Sequence, residues 1–244
     1  MVEMTPHFAP IVVLAFLGAV FLTGVSILVL LYGAARRSRR YPGIGGAGAF
    51  AVGGCYVLLL CGVSLASSEK VVPQGGWKYF CEIDCHIGYS VSGMRTAAAI
   101  GPDSHHAAPR EEFAVVTVKV WFDPSTISPR RGDGPLTPNA RRVVLVDASG
   151  QAYERSSEAE AEISRGKGED LSLRRALRPG QSFVKDLVFD VPKNTSGLRL
   201  LITEDDPETR LVIGHENSFL HKKIYLGLES AQNITSGMNT LPSN

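Results

Sequence analysis

The residues of this chain best suited to chemistry are Cys81, Cys85 and His86, which lie together in the run YFCEIDCH at Tyr79–His86. Two thiols separated by three residues admit three chemistries. The first is a Cys81–Cys85 disulfide. Its Cα atoms must lie about 4.4–6.8 Å apart, so it requires a bend at Glu82–Asp84, because in an extended strand the two residues would be roughly 13 Å apart. The second is a copper or zinc site in which Cys81 and Cys85 are joined by His86, or by the distant His221 or His215. The third is covalent haem, since Cys81-x3-Cys85-His86 is one residue longer than the usual attachment spacing. Haem would then need a second axial ligand such as Met94, His105 or His106.

Which chemistry is open depends on the compartment, and the first third of the chain bears on that. Ile11–Gly33 is an uncharged stretch of 23 residues, long enough as a helix to cross a hydrocarbon core of about 30 Å. It lacks a basic start and is too long for the apolar core of a signal peptide, so it reads as an uncleaved span. A second uncharged stretch runs from Tyr41 to Ser68 and is rich in glycine. Small residues let helices approach closely in lipid, so contact between the two helices is expected at Gly48 to Gly54. Arg36, Arg37, Arg39 and Arg40 lie between the spans, and basic loops stay in the cytoplasm. The expected organisation is a transmembrane hairpin over 1–68, with spans at 11–33 and 45–66 and a cytoplasmic loop at 34–44. The remainder is then extracytoplasmic, where cysteines oxidise. Trp77 and Tyr79, just after the second span, read as markers of the membrane interface.

The rest of the chain has a soluble composition. The first 70 residues hold 5 basic and 2 acidic groups, which leaves 20 basic and 22 acidic beyond them. That balance excludes the dense basic surface that nucleic acid requires. Hydrophobicity there alternates with period two. In Phe113–Phe122, Val116, Val118, Val120 and Phe122 share one face, while Thr117, Lys119 and Trp121 share the other. Further strands are expected at Arg142–Val146, closed by the turn Asp147–Gly150 and continued by Gln151–Tyr153, and at Phe183–Val191 after the turn Arg178–Gln181. Leu198–Thr203, Arg210–Gly214 and Lys222–Leu226 complete the set. Arg155–Asp170 reads as a loop or one short helix. The fold class is thus a two-helix transmembrane hairpin plus an all-β, Ig-like antiparallel sandwich. Its parts are a juxtamembrane segment at 69–112 holding the Cys-x3-Cys-His run and first strands, the sandwich at 113–230, and a disordered tail at 231–244.

The run LRPGQSFVKDLVFDVP at Leu177–Pro192, with the strand and Asp-rich turn after it, resembles an uncharacterised family of immunoglobulin-like β-sandwiches. Members of that family occur in bacterial lipoproteins and membrane-anchored extracellular proteins. Tyr79–Val91 and Asn217–Leu228 resemble the flanks of such sandwiches, so the resemblance extends over residues 78–228. It implies a binding or structural module and carries over no catalytic residues. The double anchor followed by a β domain also resembles subunit II of haem–copper oxidases, whose dinuclear copper motif spaces two cysteines by four. This chain departs from that motif at Tyr89, where the motif has His, and at Ser92, where it has Met. Its cysteine pair also precedes the strands instead of closing the domain. Copper-delivery proteins of the thioredoxin fold share Cys-x3-Cys, but no βαβ pattern follows here.

Catalytic signatures are missing: the chain has no Gly-x-Ser-x-Gly elbow, no phosphate-binding glycine loop and no His-Glu-x-x-His. The expectation is a membrane-anchored, extracytoplasmic binding or assembly module, for instance an accessory subunit of a membrane complex. Its partners would be the lipid bilayer and another membrane or extracytoplasmic protein, with no cofactor and no catalytic residue. The alternative is an extracytoplasmic copper or redox protein using Cys81, Cys85, His86 and His221, or a haem protein.

Overall fold

A computed structural model describes residues 9–38, 40–82, 85–101, 111–165 and 173–229. Two compact units divide the chain. One comprises residues 1–69 together with 206–223, and the other comprises residues 70–205 and 224–244.

The first unit is built on two long helices, α1 (Ala9–Ala35) and α2 (Arg40–Leu65). Both are long and apolar enough to cross a membrane. They extend beyond the expected spans, so the loop expected at 34–44 shrinks to the few residues between Ala35 and Arg40. The helices meet where α2 carries glycine. A Cβ on Gly45 would stand 2.5 Å from both the Leu30 nitrogen and the Ser26 carbonyl oxygen, and one on Gly48 would lie 2.9 Å from Ser26 Oγ. Gly53 and Gly54 face open space. The close approach thus includes Gly48, at the start of the expected stretch, and Gly45 about one turn before it, but not Gly53 or Gly54.

The second unit is a two-sheet β-sandwich. Its strands are β1 (Lys70–Val72), β2 (Lys78–Cys81), β3 (His86–Ala97), β4 (Glu112–Asp123), β5 (Arg141–Val146), β6 (Ala152–Glu154), β7 (Ser182–Val191), β8 (Arg199–Glu204) and β9 (Ile224–Gly227). One sheet has the order β1-β9-β8-β5-β6 and the other β2-β3-β4-β7. The period-two pattern holds through β4: Ala114, Val116, Val118, Val120 and Phe122 join Ile87, Tyr89, Leu187 and Phe189 of the same sheet and Leu145, Leu200 and Ile202 of the other in one core. The Asp147 turn forms as expected. Its carboxylate accepts from Ser149 N, Ser149 Oγ, Gln151 N and the Tyr153 hydroxyl, which holds that carboxyl below its ordinary range, chiefly through Ser149. The Arg178 turn is closed by Gln181 N donating to the Arg178 carbonyl at 3.0 Å.

Part of the polar stretch 155–170 forms helix α3 (Ser157–Arg165). Its Ala159 packs with Phe113, Val115, Val188 and Ile100 on the outer face of the four-stranded sheet, forming a second, smaller core. Buried Glu160 accepts from Arg155 Nε at 2.8 Å and from the Val188 amide at 3.2 Å, which ties the helix to β7, the edge strand beside it.

Three expectations are corrected. The sandwich begins at Lys70 and not at residue 113, because β1, β2 and β3 are full members of its sheets. It is not wholly antiparallel, since β1 runs parallel to β9 in the register Lys70↔Ile224. The strand expected at Arg210–Gly214 is replaced by a 3-10 turn at Pro207–Leu211, as Pro207 and the turn bonds around Asp206 favour a tight helix. The expected tail at 231–244 lies outside the described residues.

The glycine contact makes a prediction. Gly45→Ala forces two helix backbones apart and should destabilise the helix pair by about 1–3 kcal/mol. Gly53→Ala, which enters open space, should leave it unchanged. Thermal unfolding of the full chain in detergent, followed by helical circular dichroism, measures the difference.

Candidate functional site

The chemistry-bearing run at Tyr79–His86 forms the hairpin of β2 and β3. Lys78 pairs with Tyr89, Phe80 with Ile87 and Cys81 with His86, and the Glu82 amide donates to the Cys85 carbonyl at 2.8 Å. Alternation then sorts the side chains. Trp77, Tyr79, Cys81 and His86 belong to the outer face, whereas Lys78, Phe80, Glu82, Cys85 and Tyr89 belong to the buried one.

That sorting separates the two thiols. Cys81 is exposed and Cys85 is buried. Residues 83 and 84 of the bend that the disulfide reading requires lie outside the described residues, but the ladder puts Cys81 opposite His86 and the Glu82–Cys85 bond sets Cys85 beside Glu82. The two sulfurs therefore belong to opposite faces of the sheet. Burial holds the His86 imidazole below its ordinary pKa, with the nearby Asp123 carboxylate opposing this. Its Nδ1 is buried without a hydrogen-bond partner. His221 belongs to the helical unit, where its Nδ1 meets the Lys222 carbonyl at 2.7 Å. Among the described residues, no three His, Cys, Asp or Glu side chains converge as a metal site would need. Met94 packs against the sandwich core, and His105 and His106 lie outside the described residues.

Beneath the hairpin lies a buried ionic cluster that the sequence reading did not find. Arg141 of β5 has a fully buried side chain. It pairs with Glu82 and lies 3.6 Å from Glu204 of β8. Glu82 also accepts from the Asn139 amide at 3.2 Å. Lys78 Nζ donates to the carbonyls of Ile202 at 2.6 Å and Ile224 at 2.8 Å. The aromatic ring of Phe80 lies between the two cations, 4.5 Å from the Arg141 guanidinium and 5.2 Å from the Lys78 ammonium. Burial pushes the Tyr89 phenol up to about 12, with Arg141 acting against this. The only sequence signal was the i, i+2, i+4 set Lys78, Phe80, Glu82. Alternation placed these on one face without saying that it was the inner one.

On the outer face, Gly88 makes room for aromatic rings. A Cβ there would stand 2.9 Å from the Trp77 ring and 3.1 Å from the Tyr79 ring. Trp77 lies 6.5 Å from Tyr79 and 5.3 Å from Trp121, and Lys119 Nζ sits 5.8 Å from the Trp77 ring. Thr117 Oγ1 donates to Asp186 at 2.7 Å further along the same face. Rings laid over a strand glycine also shield its backbone, so the group has a packing role in addition to any contact it makes. The resulting surface is aromatic and partly exposed, with the Lys119 ammonium near the Trp77 ring and Cys81 and His86 on the same face.

The fold and the site define a two-sheet β-sandwich protein with two long apolar helices. No protein-family description matches the chain, and no curated protein matches it. Solved structures similar to it are β-sandwich or secreted proteins, or proteins with no assigned role. MPT63, a secreted protein from Mycobacterium tuberculosis, is 11% identical with a TM-score of 0.41, covering 66% of this chain and 99% of its own. The yjhA protein from Bacillus subtilis is 13% identical with a TM-score of 0.40, covering 65% and 99%. An uncharacterized β-sandwich protein from Clostridium difficile 630 is 9% identical with a TM-score of 0.36, covering 67% and 96%.

Two outcomes follow from the site. Glu82→Gln strips Arg141 of its main counter-charge and should cost about 3–5 kcal/mol, whereas replacing Glu82, Arg141 and Glu204 together by apolar residues should cost far less. Urea unfolding followed by tryptophan fluorescence reads this directly, because the chain's two tryptophans, Trp77 and Trp121, both lie on the sandwich. Cys81 should react with a maleimide in the folded protein, and Cys85 only after denaturation. Mass spectrometry of the labelled peptides distinguishes the two.

Proposed function

We propose that this chain is a membrane-anchored protein whose helices cross the bilayer as a hairpin and display an Ig-like sandwich on the extracytoplasmic side. In this reading the sandwich is a binding or assembly module for another membrane or extracytoplasmic protein. The observation that carries the anchor is the surface of the helices. Phe21 is 68% exposed, Phe50 83% and Leu58 75%, and such side chains recur around both helices. Water would penalise that much bare apolar surface heavily, and lipid would not. The cluster Arg36, Arg37, Arg39 and Arg40, at the junction of the two helices in the sequence, favours a cytoplasmic link, which sends both outer ends to the other side.

The module reading is supported by the outer face of the four-stranded sheet. Trp and Tyr are enriched where proteins meet, and here they form a group with Lys119 near the Trp77 ring. Helix α3 covers the other end of that sheet face, so the aromatic end is the part left for a partner.

The reading predicts that the protein stays with the membrane through alkaline carbonate extraction. An alkaline phosphatase fusion after Gly227 should be active in a bacterial host, and one after Arg37 inactive. A photo-crosslinking residue at Tyr79 should give a discrete protein adduct in native membranes, and one at the exposed Ser149 none. Carbonate release or reversed fusion activities would reject the anchor, and no adduct at Tyr79 would reject the binding face.

A further inference from the structure

Between β8 and β9 the chain makes an excursion, residues 206–223, that belongs to the helical unit. Inside that unit it runs along α2. Lys222 N donates to Ser67 Oγ at 2.8 Å just past the helix end, and the Tyr56 hydroxyl donates to the Leu211 carbonyl at 2.7 Å. Gly214 passes Val63 between these two points. Tyr56 is nine residues before Leu65, the last residue of α2, or about 14 Å down the axis. A helix of 26 residues measures about 39 Å against a hydrocarbon core of about 30 Å. Centred in the bilayer, it would place Tyr56 about 9 Å beneath the hydrocarbon boundary.

Asp206, Glu208, Arg210 and Lys222 of the excursion are exposed, but much of its remaining polarity is turned inward. Its backbone closes on itself in successive turns: Thr209 N donates to Asp206 O, Val212 N to Thr209 O, His215 N to Val212 O and Ser218 N to His215 O. Phe219 N donates across the loop to Arg210 O. Polar side chains are also used internally. Ser218 Oγ donates to the Val212 carbonyl, Asn217 Nδ2 to Thr209 Oγ1 at 3.3 Å, and Lys223 Nζ to the Glu216 carbonyl at 2.6 Å. Three apolar side chains face outward instead, with Leu211 42%, Phe219 53% and Leu220 61% exposed, while Val212 and Ile213 are half-buried. Leu220 holds φ +65, a left-handed conformation that costs a non-glycine residue about 1–2 kcal/mol. A loop facing water would hydrate its backbone and bury its leucines. This one turns several of its backbone amides onto its own carbonyls and exposes two leucines, the direction that lipid favours.

The geometry points to residues 206–223 as a re-entrant element seated in the outer leaflet. Leu211, Phe219 and Leu220 enter the acyl region, as do the exposed Val57, Leu58 and Leu59 of α2. Arg210 and Lys222, both exposed, reach the headgroup phosphates. The occupant of this apolar surface is lipid, and the inference rests on the reading that the helices span the bilayer.

The test uses the full chain in phosphatidylcholine–phosphatidylglycerol vesicles, with an environment-sensitive fluorescent amino acid placed in turn at Leu220, Phe219, Leu17 of α1 and Ser149 of the sandwich. At Leu220 and Phe219, the expected result is blue-shifted emission that lipids spin-labelled in the acyl chain quench and aqueous iodide does not. Leu17 should behave the same way, and Ser149 should show the reverse. Iodide quenching at both loop positions, with Leu17 still lipid-quenched, overturns this inference and leaves the anchor standing. Iodide quenching at Leu17 overturns the anchor as well. Loop probes shielded from both quenchers mean that protein covers the loop, which also overturns the inference. Two loop positions guard against one substitution disturbing the turn.

Discussion

The ladder between β8 and β9 opens after two residue pairs, and much of the architecture follows from how that opening is held. Arg199 pairs with Gly227 and Leu200 with Leu226. The same register would set Ile202 opposite Ile224, but the strands have parted by then, because the chain leaves the sandwich at Asp206 and returns at Lys223. Two carbonyls at the mouth of this excursion would be buried without donors, at a cost of several kcal/mol. The ammonium of Lys78, reaching across from the other sheet, donates to both.

Lys78 can occupy that position only because β2 presents its even-numbered residues inward. The same alternation puts Glu82 beside Arg141 and sends Trp77, Tyr79 and Cys81 to the outer face. The ionic cluster within and the aromatic surface without are thus two consequences of one strand's phase. β2 is also an edge strand, and inward-pointing charge on an edge discourages pairing with another chain. Arg141 joins β2 to β5 and β8, so the edge is tied to the opposite sheet by charge as well as by the apolar core.

Much of this fold was legible because its signals are local. The two apolar helices, the alternation of β4 and the turns at Asp147 and Arg178 all depend on residues near one another in the chain. The first three strands were harder to see. Lys70–Val72 is too short to show alternation, and Lys78–Cys81 mixes lysine and cysteine into its pattern. In His86–Ala97 the alternation is interrupted by Gly88 and by a bulge between Val91 and Gly93. The cysteine run drew attention for its spacing, yet spacing says nothing about faces. The β2–β3 pairing, with Cys81 opposite His86, decided that Cys81 and Cys85 lie on different faces.

The sequence by itself determined the division into an uncharged helical part and a period-two part, because hydrophobic burial acts on patterns written within each element. It also determined which residues share a face. Only the tertiary structure decided which face looks inward, and so made Lys78, Glu82, Arg141 and Glu204 a buried cluster. It alone returned residues 206–223 to the helices, far from them in sequence. Such pairings lie between residues up to 155 positions apart, as for Tyr56 with Leu211. They arise from donors and acceptors that must be satisfied wherever the packed chain brings them, and no local pattern encodes that.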